Sequence, residues 1–165
     1  MLIKLDSFED FRGHQYELYN QKEYAERGIN VTFVQDNISI SMKNVLRGIH
    51  GDAETWKLVS CLYGKLYFVV VNCDTVSPNF GQWEAFTLSD RNRLQVLVPP
   101  KYGNAHLVLS DLAVFYYKWS EYYDLSKQFT YRYDDKLFGI YWPAKNPTLS
   151  QRDEEASRLL KDYLI

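Results

Sequence analysis

At 165 residues, 46% of them hydrophobic, the chain suits one domain spanning residues 1–165, which would bury roughly 70% of its unfolded surface without a disulfide or metal staple. A formal charge of -2, with no Lys- or Arg-rich run, excludes a protein that holds nucleic acid or an anionic membrane by counterion release, so anionic ligands must be met by a few placed cations. The N-terminus MLIKLDSFED has no basic segment leading into an apolar run, and nowhere do about 18 apolar residues occur in succession, so a cytoplasmic protein is expected.

The first periodic segment is NQKEYAERG, a short helix closing on Gly28. From about Val31 to Lys118 the chain becomes a series of short β-type runs. VTFVQDNISIS alternates in polarity, and LRGIH follows a turn at Lys43-Asn44. KLVSCLYGKLYFVVVNC has a Gly-Lys turn at its centre and predicts two paired strands. QWEAFTLS, RLQVLVPP, AHLVLS and LAVFYYKWS follow, punctuated by SPNFG, SDRN, PPKYGN and SD. Helical pattern returns in SQRDEEASRLLKDYLI, where Ser150 precedes Asp153 in a capping-box arrangement and Leu159, Leu160 and Leu164 share one face. Regular short strands without an intervening helical period predict an all-β sandwich or barrel with short peripheral helices.

Composition adds two observations. Cys61 and Cys73 lie within apolar runs without CxxC spacing, which predicts buried thiols rather than a disulfide or zinc site. Aromatic residues make up 16%, including 14 Tyr; tyrosine suits a lined sugar or base pocket, and equally a Tyr-rich sheet surface or interface. Three scattered histidines do not give the clustered His and carboxylate ligands of a metal site, so no metal is expected.

Those histidines leave few general-base candidates, and LRGIH places His50 at the end of a strand beside Arg47. With regular alternation, residues 46, 48 and 50 share one face and Arg47 points to the other, so the two are not expected to cooperate within one subunit. Taken alone, such a histidine is a base or simply a satisfied polar residue.

The runs FVQDNISISMKNVLRGIH, KLVSCLYGKL, SPNFGQWEAFTLSDRN, YYKWSEYYD, FGIYWP and LSQRD, in that order and preceded by EDFRGHQYE, resemble the dTDP-4-keto-6-deoxyglucose 3,5-epimerase family of cupins from about residue 8 to 153. The resemblance implies a jelly-roll barrel, a homodimer exchanging N-terminal strands, and action on a nucleotide-linked 4-keto-6-deoxy sugar without a metal or redox cofactor, in capsule or lipopolysaccharide synthesis. It implies His50 as base, Asp153 as the carboxylate orienting it, Tyr123 as the opposing acid with Tyr122 as competitor, and Lys57 near the sugar carbonyl. Arg12, Glu17, Gln35, Asn37 and Arg47 match positions that bind nucleotide, phosphates or sugar. Each also has a plainer reading: Asp153 as a helix cap, Lys57 as a solvated strand-end charge, Tyr123 as a structural tyrosine.

The chain departs from the family pattern around the expected pocket. PPKYGNAHLVLS puts Asn104 where the family has a histidine and His106 two residues on, with either able to contact sugar or diphosphate. Gly51-Asp52 begins a shortened link to Lys57, and a usual strand aspartate is replaced near Phe68. These changes resemble a divergent branch acting on other 4-keto sugars, including GDP-linked 6-deoxy-heptoses, which leaves GDP or dTDP, and one or two inverted carbons, open. A 3,4-ketoisomerase and a non-catalytic sugar-nucleotide-binding cupin are the competing readings.

Overall fold

A computed structural model describes residues 1–156. Leu159, Leu160 and Leu164, with the predicted helical face they form, lie outside the described residues.

Two five-stranded antiparallel sheets face each other. The first contains β1 (Leu2–Lys4), β4 (Gln35–Met42), β6 (Lys57–Tyr63), β9 (Leu94–Val98) and β11 (Leu112–Trp119), in the spatial order β1-β9-β6-β11-β4. The second contains β5 (Leu46–Gly51), β7 (Lys65–Asn72), β8 (Trp83–Ser89), β10 (Tyr102–Val108) and β12 (Phe129–Thr130), in the order β12-β5-β10-β7-β8. Side chains alternate across each strand, and the inward set (Val59, Leu66, Phe68, Leu88, Val96, Phe115) fills the space between the sheets as a closed apolar core. The expected all-β cupin barrel is present.

The alternating runs became strands because each has one face to bury. VTFVQDNISIS gives a strand only from Gln35; residues 31–34 form none, and Val31 and Phe33 instead pack beside Ile29, Leu58 and Leu97. Four short strands were not expected from the sequence: β1, β12, and the hairpin of β2 (Phe8–Asp10) with β3 (Gly13–Gln15). At two or three residues each they are too short to show a period. The helix α1 (Gln21–Glu26) is capped by the Asn20 side chain, which accepts from the amides of Lys22 and Glu23. Around Gly28, at φ +84°, the chain leaves the helix in a backbone conformation that suits glycine.

The outer face of the second sheet is covered by Phe129 of β12 and the segment that follows it. Phe129, Tyr131, Phe138, Ile140 and Trp142 pack on Ile49, Val71, Cys73 and Ala105. The chain then returns alongside the start of β5, where the amide of Leu46 donates to the carbonyl of Thr148 and the amide of Thr148 to that of Asn44. This return sets the start of the short helix α2 (Gln151–Glu154) beside β5.

Candidate active site

A cavity of about 430 Å³ opens inside the barrel between the two sheets. Its walls are organised in tiers by strand register. The first tier holds Gln35 of β4, Trp119 of β11 and Lys57 of β6, which are cross-strand neighbours. The second holds Asn37, Tyr117 and Val59 on one sheet and the pair Asn104 and His50 on the other. The third, against the apolar core, holds Ser39 and Phe115 opposite His106 and Arg47.

Arg47 and His50 therefore line the same cavity, contrary to the alternation expected from the sequence. The reason is one extra residue in β5. His50 pairs with Asn104 and Arg47 with His106, so three steps along β5 match two along β10. Gly48 absorbs the bulge at φ +121°; a Cβ there would lie 2.5 Å from Ala105 Cβ and 2.6 Å from the Asn104 carbonyl oxygen. Arg47 is then held by its Nε, which donates to Ser41 Oγ at 3.0 Å.

Asp153 does more than cap a helix. Its amide and the Ser150 hydroxyl form the cap of α2, while Ser150 Oγ donates to Asp153 Oδ2 at 2.8 Å. Its other oxygen, Oδ1, lies 2.6 Å from His50 Nε2. Burial pushes this carboxyl up, but the hydrogen bonds from His50 and Ser150 outweigh it and hold its pKa below the ordinary 3.8. An ionised carboxylate fixes the histidine proton on Nε2 and leaves Nδ1 as the basic nitrogen.

Lys57 is not a solvated strand-end charge. It is buried, 4% exposed, with Nζ donating to Asn104 Oδ1 at 3.2 Å and lying 5.0 Å above the Trp119 ring. Burial pulls its pKa from 10.5 down to about 8, against the pull of Asp52. Asn104 thus anchors this ammonium. His106, two residues on, lines the same cavity, as expected of a residue on the same strand face.

Tyr123 lines the cavity, its ring 5.3 Å from that of Trp119 and its amide donating to Gln35 Oε1 at 2.9 Å. Tyr122 points away and is 76% exposed. Of the thirteen tyrosines among the described residues only Tyr117 and Tyr123 line this cavity, so most of the aromatic excess serves other surfaces and packing. Gln35 also donates through Nε2 to Asn37 Oδ1 at 3.0 Å.

Arg12 and Glu17 are not brought to this cavity by their own chain. Arg12 sits at the turn of the β2–β3 hairpin, paired with Asp10 at 2.6 Å, and Glu17 faces a separate depression near α1. Among the described residues that hairpin pairs with no other strand, and Arg12 does not line the cavity. Conversely, Ser39, Phe115, Tyr117, Trp119, Gln128 and Arg152 line the cavity but were not singled out from sequence, and Ser150, expected only as a helix cap, lines it too. Period-2 extension from Gln35 and Asn37 would have found Ser39, and the same step along FYYKW would have found the three aromatics.

A sequence model of the dTDP-4-dehydrorhamnose 3,5-epimerase family matches residues 1–161. The chain belongs to this family. It is an isomerase, a nucleotide-sugar epimerase of carbohydrate biosynthesis. It is 40% identical over 164 residues to the dTDP-4-dehydrorhamnose 3,5-epimerase of Salmonella typhimurium, covering 96% of this chain and 90% of that enzyme. Among solved structures, the Legionella pneumophila dTDP-6-deoxy-D-glucose-3,5-epimerase in complex with dTDP-4-keto-L-rhamnose superposes with a TM-score of 0.92 at 39% identity, over 96% of this chain and 87% of that one. A 3'-monoepimerase of Streptomyces bikiniensis in complex with dTDP-quinovose gives 0.91 at 28% identity, over 98% and 84%. The epimerase scaffold therefore serves both single and double inversion.

Proposed function

We propose that this epimerase inverts carbon 3, or carbons 3 and 5, of a dTDP- or GDP-linked 4-keto-6-deoxy sugar in cytoplasmic capsule or lipopolysaccharide synthesis, as a single domain without metal or redox cofactor. The observation that carries the reading is the His50 to Asp153 contact of 2.6 Å inside a cavity that also presents Lys57 and Tyr123. A proton next to a ketone is acidic because the electron pair left behind moves onto the carbonyl oxygen. His50 Nδ1 takes that proton, the C–H pair becomes the enolate, and the Lys57 ammonium stabilises the oxygen charge. Tyr123 returns a proton to the opposite face and is itself reprotonated from solvent, as His50 releases its proton there. Arg47 and Arg12 suit the diphosphate, whose oxygens match a planar guanidinium fork; Glu17, Gln35, Asn37, Asn104 and His106 complete the binding set.

Arg12 and Glu17 fit this set only if a second copy supplies them. The outward side of β4 exposes Ile38, Ile40 and Met42, and the free hairpin carries Phe8 and Phe11, the latter 98% exposed. A homodimer exchanging its N-terminal strands would cover both apolar surfaces and carry Arg12 to the neighbouring cavity.

Incubation with dTDP- and GDP-linked 4-keto sugars in heavy water tests the reaction. Deuterium at carbon 3, or at 3 and 5, with inverted product is expected; binding without any exchange across the panel would instead mark a non-catalytic cupin, and a 3-keto product a ketoisomerase.

A further inference from the structure

Among the described residues, five buried side-chain nitrogen or oxygen atoms have no hydrogen-bond partner: Asn37 Nδ2, Ser39 Oγ, Arg93 Nε, His106 Nε2 and Trp119 Nε1. Four of the five belong to residues lining the catalytic cavity. An orphaned buried polar atom costs free energy unless a ligand or water meets it, so their concentration in one cavity marks where a ligand's polar groups are expected. Two of them, Ser39 and His106, lie in the third tier, beyond the base.

Their surroundings define the chemistry. Ser39 is the cross-strand neighbour of Phe115, and the His106 ring lies 4.3 Å from the Phe115 ring, so the two polar groups flank one aromatic face. Phe68, the cross-strand neighbour of His106, lies 5.8 Å from Phe115 and extends the apolar floor. Polar groups at the rim of an aromatic floor match a sugar ring, which presents C–H faces and hydroxyl edges. His106 is 3% exposed; burial first, then the charges of Arg47 and His50, bring its pKa down to about 3. Its imidazole is neutral and too weakly basic to share the proton-transfer role of His50. A neutral imidazole nitrogen and a serine hydroxyl together can both give and accept a hydrogen bond, which is the requirement of a hydroxyl group. A diphosphate would be met instead by the guanidinium of Arg47 in the same tier.

We propose that His106 and Ser39, flanking Phe115, bind a hydroxyl of the substrate's sugar and thereby determine which sugar the epimerase accepts. The inference rests on reading the cavity as a nucleotide-sugar site, and it assigns Ser39 a specificity role alongside His106.

The test separates sugar recognition from nucleotide recognition and from turnover. Calorimetry would compare dTDP with dTDP-glucose, and GDP with GDP-mannose, on wild type, His106→Phe, Ser39→Ala and His106→Gln. Wild type is expected to gain affinity from the sugar with at least one nucleotide. His106→Phe and Ser39→Ala should each lose about 3–10-fold of that gain, the size of one hydrogen bond, while the bare nucleotide binds within about twofold of wild type. His106→Gln, which keeps a polar atom, should recover part of the loss. The proposal is overturned if the sugar gain is absent in wild type, is unchanged in both variants, or falls in step with bare-nucleotide affinity. Failure of wild type to exchange deuterium would overturn the epimerase reading separately, since these readouts are binding constants.

Discussion

Asp153 reaches His50 across 103 positions of sequence, and the 2.6 Å contact between them is held from behind by the Ser150 hydroxyl on the carboxylate's second oxygen. The histidine's orientation therefore depends on the chain returning along β5 through Thr148 and starting a helix at one particular residue.

Replacing Asp153 with Asn keeps the shape and removes the charge that supports an imidazolium. Turnover should fall about 10²–10⁴-fold, measured as kcat for product formation with the substrate identified by exchange. The Asp153 pKa is depressed, so its contribution to stability is present above the unfolded value of 3.8 and is lost as pH falls through the lower folded value. Unfolding curves for wild type should therefore show an acid-side loss that is smaller in Asp153→Asn.

Lys57 gives opposite signs for rate and stability. Its cationic form disappears as pH rises through about 8, and kcat should fall on that alkaline limb. Between about 8 and 10.5 the unfolded chain binds the proton that the folded chain has released, so this residue's contribution to stability rises with pH across that window. Lys57→Met should abolish the proposed enolate support at all pH values and remove the alkaline rise in stability, read by denaturant unfolding at either end of the window.

Gly48→Ala should destabilise the fold by about 2–4 kcal/mol, because it combines an unfavourable positive φ with a Cβ that overlaps Ala105 and the β10 backbone. A shift of less than about 0.5 kcal/mol in chemical denaturation would mean that the bulge relaxes freely.

Tyr123→Phe keeps the ring against Trp119 and deletes the hydroxyl proposed as the acid. Solvent exchange at the carbon next to the ketone should continue while formation of inverted product falls by at least about 10²-fold. Tyr122→Phe, on the exposed side of the same segment, should leave both within about twofold of wild type.

The strands that bury one face were visible in the sequence because alternation is the direct imprint of a sheet packed on one side, as in the run from Gln35 to Met42. The hairpin carrying Arg12 was not, since three-residue strands with both faces exposed carry no such imprint. The resemblance to the epimerase family identified His50, Lys57, Tyr123 and Asp153 as candidates, yet the face occupied by Arg47 was misjudged. A bulge changes which face a residue occupies without changing composition, and glycine at position 48 was its single local sign. The burial of Lys57 was equally hidden: nothing in KLV reveals that Asn104 and Trp119, about 50 and 60 positions away, close around its ammonium.

The extra residue in β5 works as a parity bit. Two steps separate Asn104 from His106 on β10 and three separate Arg47 from His50 on β5, and the wall admits an arginine and a histidine to one interior because the bulge takes up the odd step. Without the bulge, the same odd count would send one of the two to the outer face, where Tyr131 and Phe138 already pack. Spacing and bulge therefore go together in this strand, and anyone redesigning the epimerase by grafting or shuffling segments must carry the Gly48 bulge with the three-step spacing before considering the identity of any side chain.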